Sequence, residues 1–391
     1  MSSTPDPHDF LDLDAGLAEE DRAIRDAVRA YARDHLLDHV ADWYESGSLP
    51  ARELAKGFGE LGLLGMHLEG YGCAGTSAIA YGIACRELEA VDSGLRSFVS
   101  VQGSLAMFAI HRWGSEEHRE EWLPRMAAGD ALGCFGLTEP DAGSDPGSMR
   151  TRAVRDGSDW VLTGTKMWIT NGTVADVAVV WAQTDEGVRG FVVPTSTPGF
   201  TANEVKHKLS LRASLTAELV LDGVRLPESA AFPEVRGLRG PLSCLNEARY
   251  GILFGVVGAA RACYRAALEY TLAREQFGKP LASFQLTQRK LADLLVEVNR
   301  AGLVALQIGR LKDAGTLDHS QVSFGKLANV RSALDVARTA RSMLGANGIS
   351  LEYPVMRHAT NLESVLTYEG TPEMHTLIIG QALTGHSAFR G

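Results

Sequence analysis

A chain of 391 residues, 45% hydrophobic and 22% charged, has the composition of a soluble globular protein and exceeds one ordinary core, so two or three domains are expected. Its formal charge of −10 argues against nucleic acid or an anionic membrane as the main partner, while leaving room for a local basic pocket that takes an anion. Five scattered cysteines (Cys73, Cys85, Cys134, Cys244 and Cys263), with no CxxC or Cys/His cluster at metal spacing, read as free thiols in a reducing compartment, with no metal site.

The opening stretch MSSTPDPHDFLDLDAG is acidic and lacks the apolar segment of a secretory signal, so a cytoplasmic location is expected. From about Glu19 to Met126 the pattern is helical, with Ile24, Val28, Tyr31, Leu36 and Leu37 at helical spacing. RELEAVDSGLRS, Arg86 to Ser97, reads as a charged helix end. Arg96 and Ser97 also suit a carboxylate, because a guanidinium offers a planar fork. From about Cys134 to Pro233 the texture changes to short β-branched and aromatic runs punctuated by Gly, Asn, Asp and Pro, the mark of a small antiparallel β-domain. At the changeover lies CFGLTEPDAGSDPGS, whose Gly143, Ser144, Gly147 and Ser148 leave backbone N–H groups open to an anion, although a plain Gly/Ser/Pro turn has the same composition. TKMWITNG, Thr165 to Gly172, sets an indole beside a threonine at a strand end. That pair can wall and hydrogen-bond a flat heterocycle, or it is a strand tryptophan ahead of a hairpin.

Helical periodicity returns from about Leu242, where Leu291, Leu294, Leu295, Val298, Ala301, Ala305 and Ile308 form a stripe several turns long. The longest apolar run, GILFGVVGAA, is too short to span a bilayer. In CLNEARYG, Arg249 interrupts an apolar helix, as a snorkelling residue or as a ligand. LAREQFGKPLASFQ places Arg274 and Gln276 at a helix break, poised for phosphate or a partner subunit, or serving only as a cationic last turn. MLGANGIS carries two glycines around Asn347 after a long helix. Finally, LTYEGTPEMHTLIIG has a helix start at Thr371-Pro372 and an anion-favouring first turn at Glu373, which leaves Glu369 without a capping role.

The order and spacing of GLTEPDAGSD, WITNG, REQFGKPL, MLGANGIS and YEGT resemble the acyl-CoA dehydrogenase family from about Ala18 to Phe389. GYGCAG, DSGLRS, LNEARYGI, HKLSLRAS and RHATNLESVLTYEGT are most similar to the glutaryl-CoA dehydrogenase branch. The resemblance implies a mostly helical α+β fold: an N-terminal helical domain over residues 1–133, a middle antiparallel β-domain over 134–238 and a C-terminal four-helix bundle over 239–391. It also implies a homotetramer, bound FAD and electron transfer to an electron-transfer flavoprotein.

Carried over residue by residue, the resemblance makes Glu369 the catalytic base, with its backbone N–H and a ribityl hydroxyl of FAD stabilising the enolate oxygen. Phe135, Leu137, Thr138, Gly143 and Ser144 would line the flavin and pyrophosphate, with Trp168, Ile169 and Thr170 beside the isoalloxazine. Arg274, Gln276, Phe277 and Gln285 would reach the FAD of an adjacent subunit, with Gly345, Asn347, Gly348, Thr371 and Phe389 in the same contact. Ser144 and Arg249 would touch the thioester, and Gly370 would let it lie close. Glu89, Arg96, Ser97 and Tyr368 match the surroundings of the substrate's distal carboxylate. Oxidation and decarboxylation of glutaryl-CoA to crotonyl-CoA is therefore the leading expectation. A non-decarboxylating relative, an enzyme for a substituted succinyl- or glutaryl-CoA in secondary metabolism, an oxidase and a flavin-binding protein without turnover are the alternatives. Leu95 stands where the branch has an aromatic residue, and Phe108 where histidine is common, which leaves substrate length and shape open.

Overall fold

The computed structural model describes residues 5–389. The N-terminal region holds helices α1 (Glu19–His35), α2 (Val40–Ser46), α3 (Ala51–Glu60), α4 (Ala78–Val91) and α5 (Ser93–Ser100). A small hairpin of β1 (Glu69–Gly70) and β2 (Cys73–Ala74) precedes α4, and α6 (Phe108–Trp113) and α7 (Glu116–Ala127) complete the region. Glu19, Glu20 and Asp21 open α1, where the helix dipole favours anions. The start of α4 is capped by Ser77, whose Oγ accepts from the Ala80 N–H at 3.0 Å. Asp92 caps α5 in the same way, accepting from Gly94 N at 2.7 Å. Its other oxygen accepts from Arg357 Nη1 at 2.6 Å and Asn361 Nδ2 at 2.9 Å, which ties α5 to the C-terminal region. Every residue of α5 is buried, Arg96 and Ser97 included. The helix then runs into a π-helical turn at Val101–Met107.

The middle region is a seven-stranded sheet in the order β3 (Gly133–Gly136), β6 (Val177–Thr184), β4 (Arg152–Asp156), β5 (Asp159–Thr170), β9 (Thr216–Pro227), β8 (Phe200–Glu204), with β7 (Gly187–Pro194) also pairing β6. Most pairings are antiparallel, as expected of hairpin-linked strands, but β6 runs parallel to β4, with Arg152 opposite Gln183, and to β3, with Phe135 opposite Val179. Chain from two intervening strands separates β3 from β6, so no tight turn dictates their direction. Val177 to Ala182 of β6 are buried on both faces, which explains their continuous apolar run.

The C-terminal region consists of α8 (Arg239–Ala273), a hairpin of β10 (Glu275–Gln276) and β11 (Lys279–Pro280), then α9 (Gln285–Asp313), α10 (His319–Met343), α11 (Pro354–Thr367) and α12 (Pro372–Thr384). GILFGVVGAA lies within α8, which by length and mean hydropathy could cross a membrane, yet 72% of its most apolar window is buried inside the protein. Its surface is taken by α4, α9, α10 and α11, and it forms the common wall of the two helical regions.

Candidate functional site

Helix α11 ends at Thr367 and α12 starts under the cap of Thr371, whose Oγ1 accepts from Met374 N at 3.4 Å. Tyr368, Glu369 and Gly370 bridge the two. Glu369 has φ 55° and Gly370 φ 101°, so a left-handed backbone carries a non-glycine residue. Such a conformation costs on the order of 1–3 kcal/mol and persists only where surroundings hold it. Here they do. Arg249 Nε, from α8, donates to the Glu369 carbonyl at 2.7 Å. Lys326 Nζ, from α10, donates to the carbonyls of Tyr368 at 2.5 Å and Gly370 at 2.6 Å. A Cβ at Gly370 would come within 2.9 Å of His375 Nε2 and 3.4 Å of Arg249 Nη2, so space as well as φ requires glycine there.

The Glu369 carboxylate itself is not pinned. Its Oε2 is buried without a hydrogen-bond partner among the described residues. Burial pushes its pKa up, against the opposing pull of Arg249, Lys326 and Arg96. Burial also pushes Lys326 down to about 7 and the neighbouring His375 down to about 3, leaving that imidazole neutral beside the loop. A carboxyl group with an elevated pKa, free of partners and beside cations, is arranged to take a proton from something placed against it.

A second cluster adjoins the first. Arg96 Nε meets Glu89 Oε2 at 2.6 Å, and Arg96 Nη2 donates to the Tyr368 hydroxyl. Ser93 Oγ donates to the other Glu89 oxygen at 2.8 Å. Glu89 is 0% exposed, Arg96 1% and Ser97 2%. Nη1 of Arg96 makes no hydrogen bond among the described residues, so the guanidinium retains a donor for an anion. Helix α8 passes this pair at Gly255, where a Cβ would lie 2.2 Å from Glu89 Oε2. Segments DSGLRS and TYEGT, far apart in the chain, thus form one site through the Arg96–Tyr368 contact.

The third element is the rim. Phe135 and Leu137 are buried, Thr138 is half-buried, and Gly143 and Ser144 are exposed with open space around Gly143. Lys166 props this loop from beneath, bonding Leu137 O at 3.1 Å and Glu139 Oε1 at 2.7 Å. Glu139 also accepts from the N–H groups of Arg150 at 2.5 Å and Thr151 at 3.0 Å. Trp168 adopts φ 65° and is 58% exposed, with Thr170 half-buried beside it. The side chain of Ile169, also expected beside the flavin, is in the β-domain core. A bulge between Lys166 and Ile169 resets the alternation and turns Ile169 inward, leaving only its backbone for a ligand. An exposed indole, open loop amides and nearby hydroxyls fit a large, flat, phosphate-bearing cofactor of the FAD type.

Arg274, Gln276, Phe277 and Gln285 are exposed around the β10–β11 hairpin and the start of α9, with Phe277 94% exposed at φ 54°. Gly345, Asn347 and Phe389 are exposed too, while Gly348 is buried and Asn347 Nδ2 donates to the Tyr270 hydroxyl at 3.1 Å. None of these hydrogen-bonds to the Glu369 loop among the described residues. Arg249 stands behind that loop, with Nη1 on Asn246 Oδ1 at 3.1 Å. Sequence reading missed Lys326, His375, Glu139 and Lys166. Lys326 had a signal: it lies between Val322 and Val330 on the buried face of α10, where a solvated lysine has no place.

Residues 18–130, 134–224 and 235–384 match family models described as the N-terminal, middle and C-terminal domains of acyl-CoA dehydrogenase. A crystal structure of glutaryl-CoA dehydrogenase from Mycobacterium smegmatis is 67% identical, with 98% of this chain and 99% of that chain covered at a TM-score of 0.97. A glutaryl-CoA dehydrogenase from Mycobacterium smegmatis in complex with FADH2 is 63% identical, with 99% and 100% covered and a TM-score of 0.97. The mitochondrial short-chain specific acyl-CoA dehydrogenase of Bos taurus is 34% identical over 370 residues, 93% of this chain and 90% of that protein.

Proposed function

The chain belongs to the acyl-CoA dehydrogenase family, and from that premise we propose that it oxidises and decarboxylates glutaryl-CoA to crotonyl-CoA and CO2 with FAD as the electron acceptor. The observation that carries this reading is the junction of an unpartnered carboxylate, Glu369, with a buried arginine, Arg96, that has a donor to spare. One group suits the α-proton of a thioester and the other a carboxylate at the far end of the same acyl chain.

Arg96 holds the distal carboxylate, which fixes the acyl chain in register with Glu369. Tyr368 and Glu89 hold Arg96 in turn. Glu369 takes the proton from Cα: the C–H bond breaks and its electron pair moves toward the thioester carbonyl. That oxygen gains negative charge and is met by the backbone N–H of Glu369. Thr138, Gly143, Ser144, Trp168 and Thr170 would hold FAD, which would supply the acceptor for the hydride that leaves Cβ. The oxidised thioester then loses CO2, its electron pair passing into the conjugated carbonyl system, and the proton on Glu369 is at hand to return to the carbon chain. Departure of the CO2 removes the charge that Arg96 held.

Exposed Leu303, Phe324 and Leu383 rim an apolar groove between α9, α10 and α12, which supports assembly with further copies of this chain as a homotetramer. In that assembly Arg274, Gln276, Phe277 and Gln285 face the FAD of a neighbour. An electron-transfer flavoprotein is the proposed acceptor and the cytoplasm the proposed location. The test is anaerobic: glutaryl-CoA added to the flavin-loaded protein bleaches the flavin, and mass analysis finds crotonyl-CoA and CO2. An unchanged spectrum refutes the proposal. Bleaching without CO2 refutes its decarboxylation step.

A further inference from the structure

We propose that Lys326 is a positioning residue that aims the backbone N–H of Glu369 at the thioester oxygen. The inference deepens the reading above and rests on it. Lys326 is 1% exposed and lies on a different helix from the loop it serves. Its Nζ takes the carbonyls of Tyr368 and Gly370, while Arg249 takes the Glu369 carbonyl between them. Three successive carbonyls are thus each held by a buried cation.

Peptide planarity carries the consequence. In a trans peptide unit the C=O and the N–H point in opposite directions. Fixing the Tyr368 carbonyl on Lys326 therefore fixes the Glu369 N–H, which belongs to the same unit, pointing away from Lys326. Among the described residues that N–H makes no hydrogen bond, and neither does the N–H of Gly370. A free, rigidly directed amide is what a developing oxyanion needs, because a donor already in place does not reorganise as charge appears. The ammonium also polarises the peptide it grips, which strengthens the N–H as a donor. A lysine that merely satisfied the last carbonyls of α11 would not require this alignment, and it would influence folding alone.

The experiment measures the acidity of a bound thioester rather than turnover. Flavin-loaded enzyme is mixed with 3-thiabutyryl-CoA, whose sulfur at the β position blocks hydride loss and whose enolate gives a long-wavelength charge-transfer band with oxidised flavin. A pH titration of the band gives the acidity of the bound Cα–H. Lys326→Met is expected to lower that acidity at least tenfold while the analogue's Kd and the flavin content stay within about threefold. Lys326→Gln, which keeps two N–H donors without the charge, should fall between Lys326→Met and wild type. If Lys326→Met does not load flavin, Lys326→Gln decides alone, with a loss of threefold or more expected. Wild-type acidity in a variant that binds the analogue overturns the inference. So does an equal loss of acidity and affinity, and so does failure of both variants to load flavin, since each marks a purely structural lysine. Absence of the band in wild-type enzyme strikes at the proposed reaction instead.

Discussion

Removing the Arg96 guanidinium tests stability and specificity together, and the structure says how to separate them. Arg96 and Glu89 form a buried ion pair at 2.6 Å, with the Tyr368 hydroxyl and Ser93 Oγ completing the cluster. In Arg96→Met, Glu89 keeps only Ser93 and remains an uncompensated buried charge, a change that costs about 3–5 kcal/mol. Adding Glu89→Gln removes that charge, so the double variant should regain most of the loss. Specificity follows a different rule. A charge-assisted hydrogen bond to the substrate's distal carboxylate contributes about 1.5–3 kcal/mol, or roughly 10- to 150-fold in kcat/KM. The preference for glutaryl-CoA over butyryl-CoA should fall by that factor in the single and double variants alike. Urea unfolding gives the stabilities, and anaerobic dye reduction with each thioester gives the preference. A double variant that is stable yet still prefers glutaryl-CoA would show that Arg96 does not hold the carboxylate. A single variant as stable as wild type would show that the pair is not buried as described.

Glu369→Gln should retain flavin and bind glutaryl-CoA while losing about 10³-fold or more in kcat, measured by stopped-flow flavin bleaching, since a positioned general base supplies about 10²–10⁴. A loss under tenfold places the base elsewhere. The raised pKa of Glu369 also has a sign. The folded protein favours its protonated form, so that contribution to stability is full below the ordinary carboxyl range and lost as pH rises through the folded pKa. Glu369→Gln should therefore be more stable than wild type at pH 8 and no more stable at pH 4 by urea unfolding, while wild-type kcat/KM rises with pH along a limb above the usual carboxylate range. The opposite order of stabilities refutes the burial argument. Phe277→Ser should leave the unfolding of an isolated subunit unchanged, because its ring is 94% exposed there. It should weaken assembly and flavin retention, read by analytical ultracentrifugation and flavin absorbance. Unaltered assembly and retention would remove Phe277 from the interface.

The parts legible in the sequence are those in which burial writes a period. Leu294, Val298, Ala301, Ala305 and Ile308 lie in the core of α9 because one face of that helix is covered. Thr371-Pro372 was legible as a helix start because a hydroxyl cap and a missing N–H are local chemistry. Glu369 stood out by elimination: nothing local employed it. What escaped is non-local. The parallel alignment of β3 and β6 depends on a sheet assembled from distant strands. Ile169 turned inward because a bulge shifts the count by a residue, and Trp168 took a left-handed φ at the same irregularity. The meeting of Arg96 with Tyr368, and of Lys326 with two loop carbonyls, joins segments whose separation no spacing rule encodes.

The indole of Trp168 has a use that none of the other tryptophans shares. Trp113, Trp122, Trp160 and Trp181 are buried and Trp43 is half-covered, whereas Trp168 is held out over half exposed by its left-handed backbone. Its emission in flavin-free protein should therefore be that of a hydrated indole, red-shifted from the rest. An isoalloxazine stacked there, as proposed, would quench it, so titration with FAD should extinguish the red edge of the fluorescence first and would give the protein its own optical gauge of cofactor occupancy.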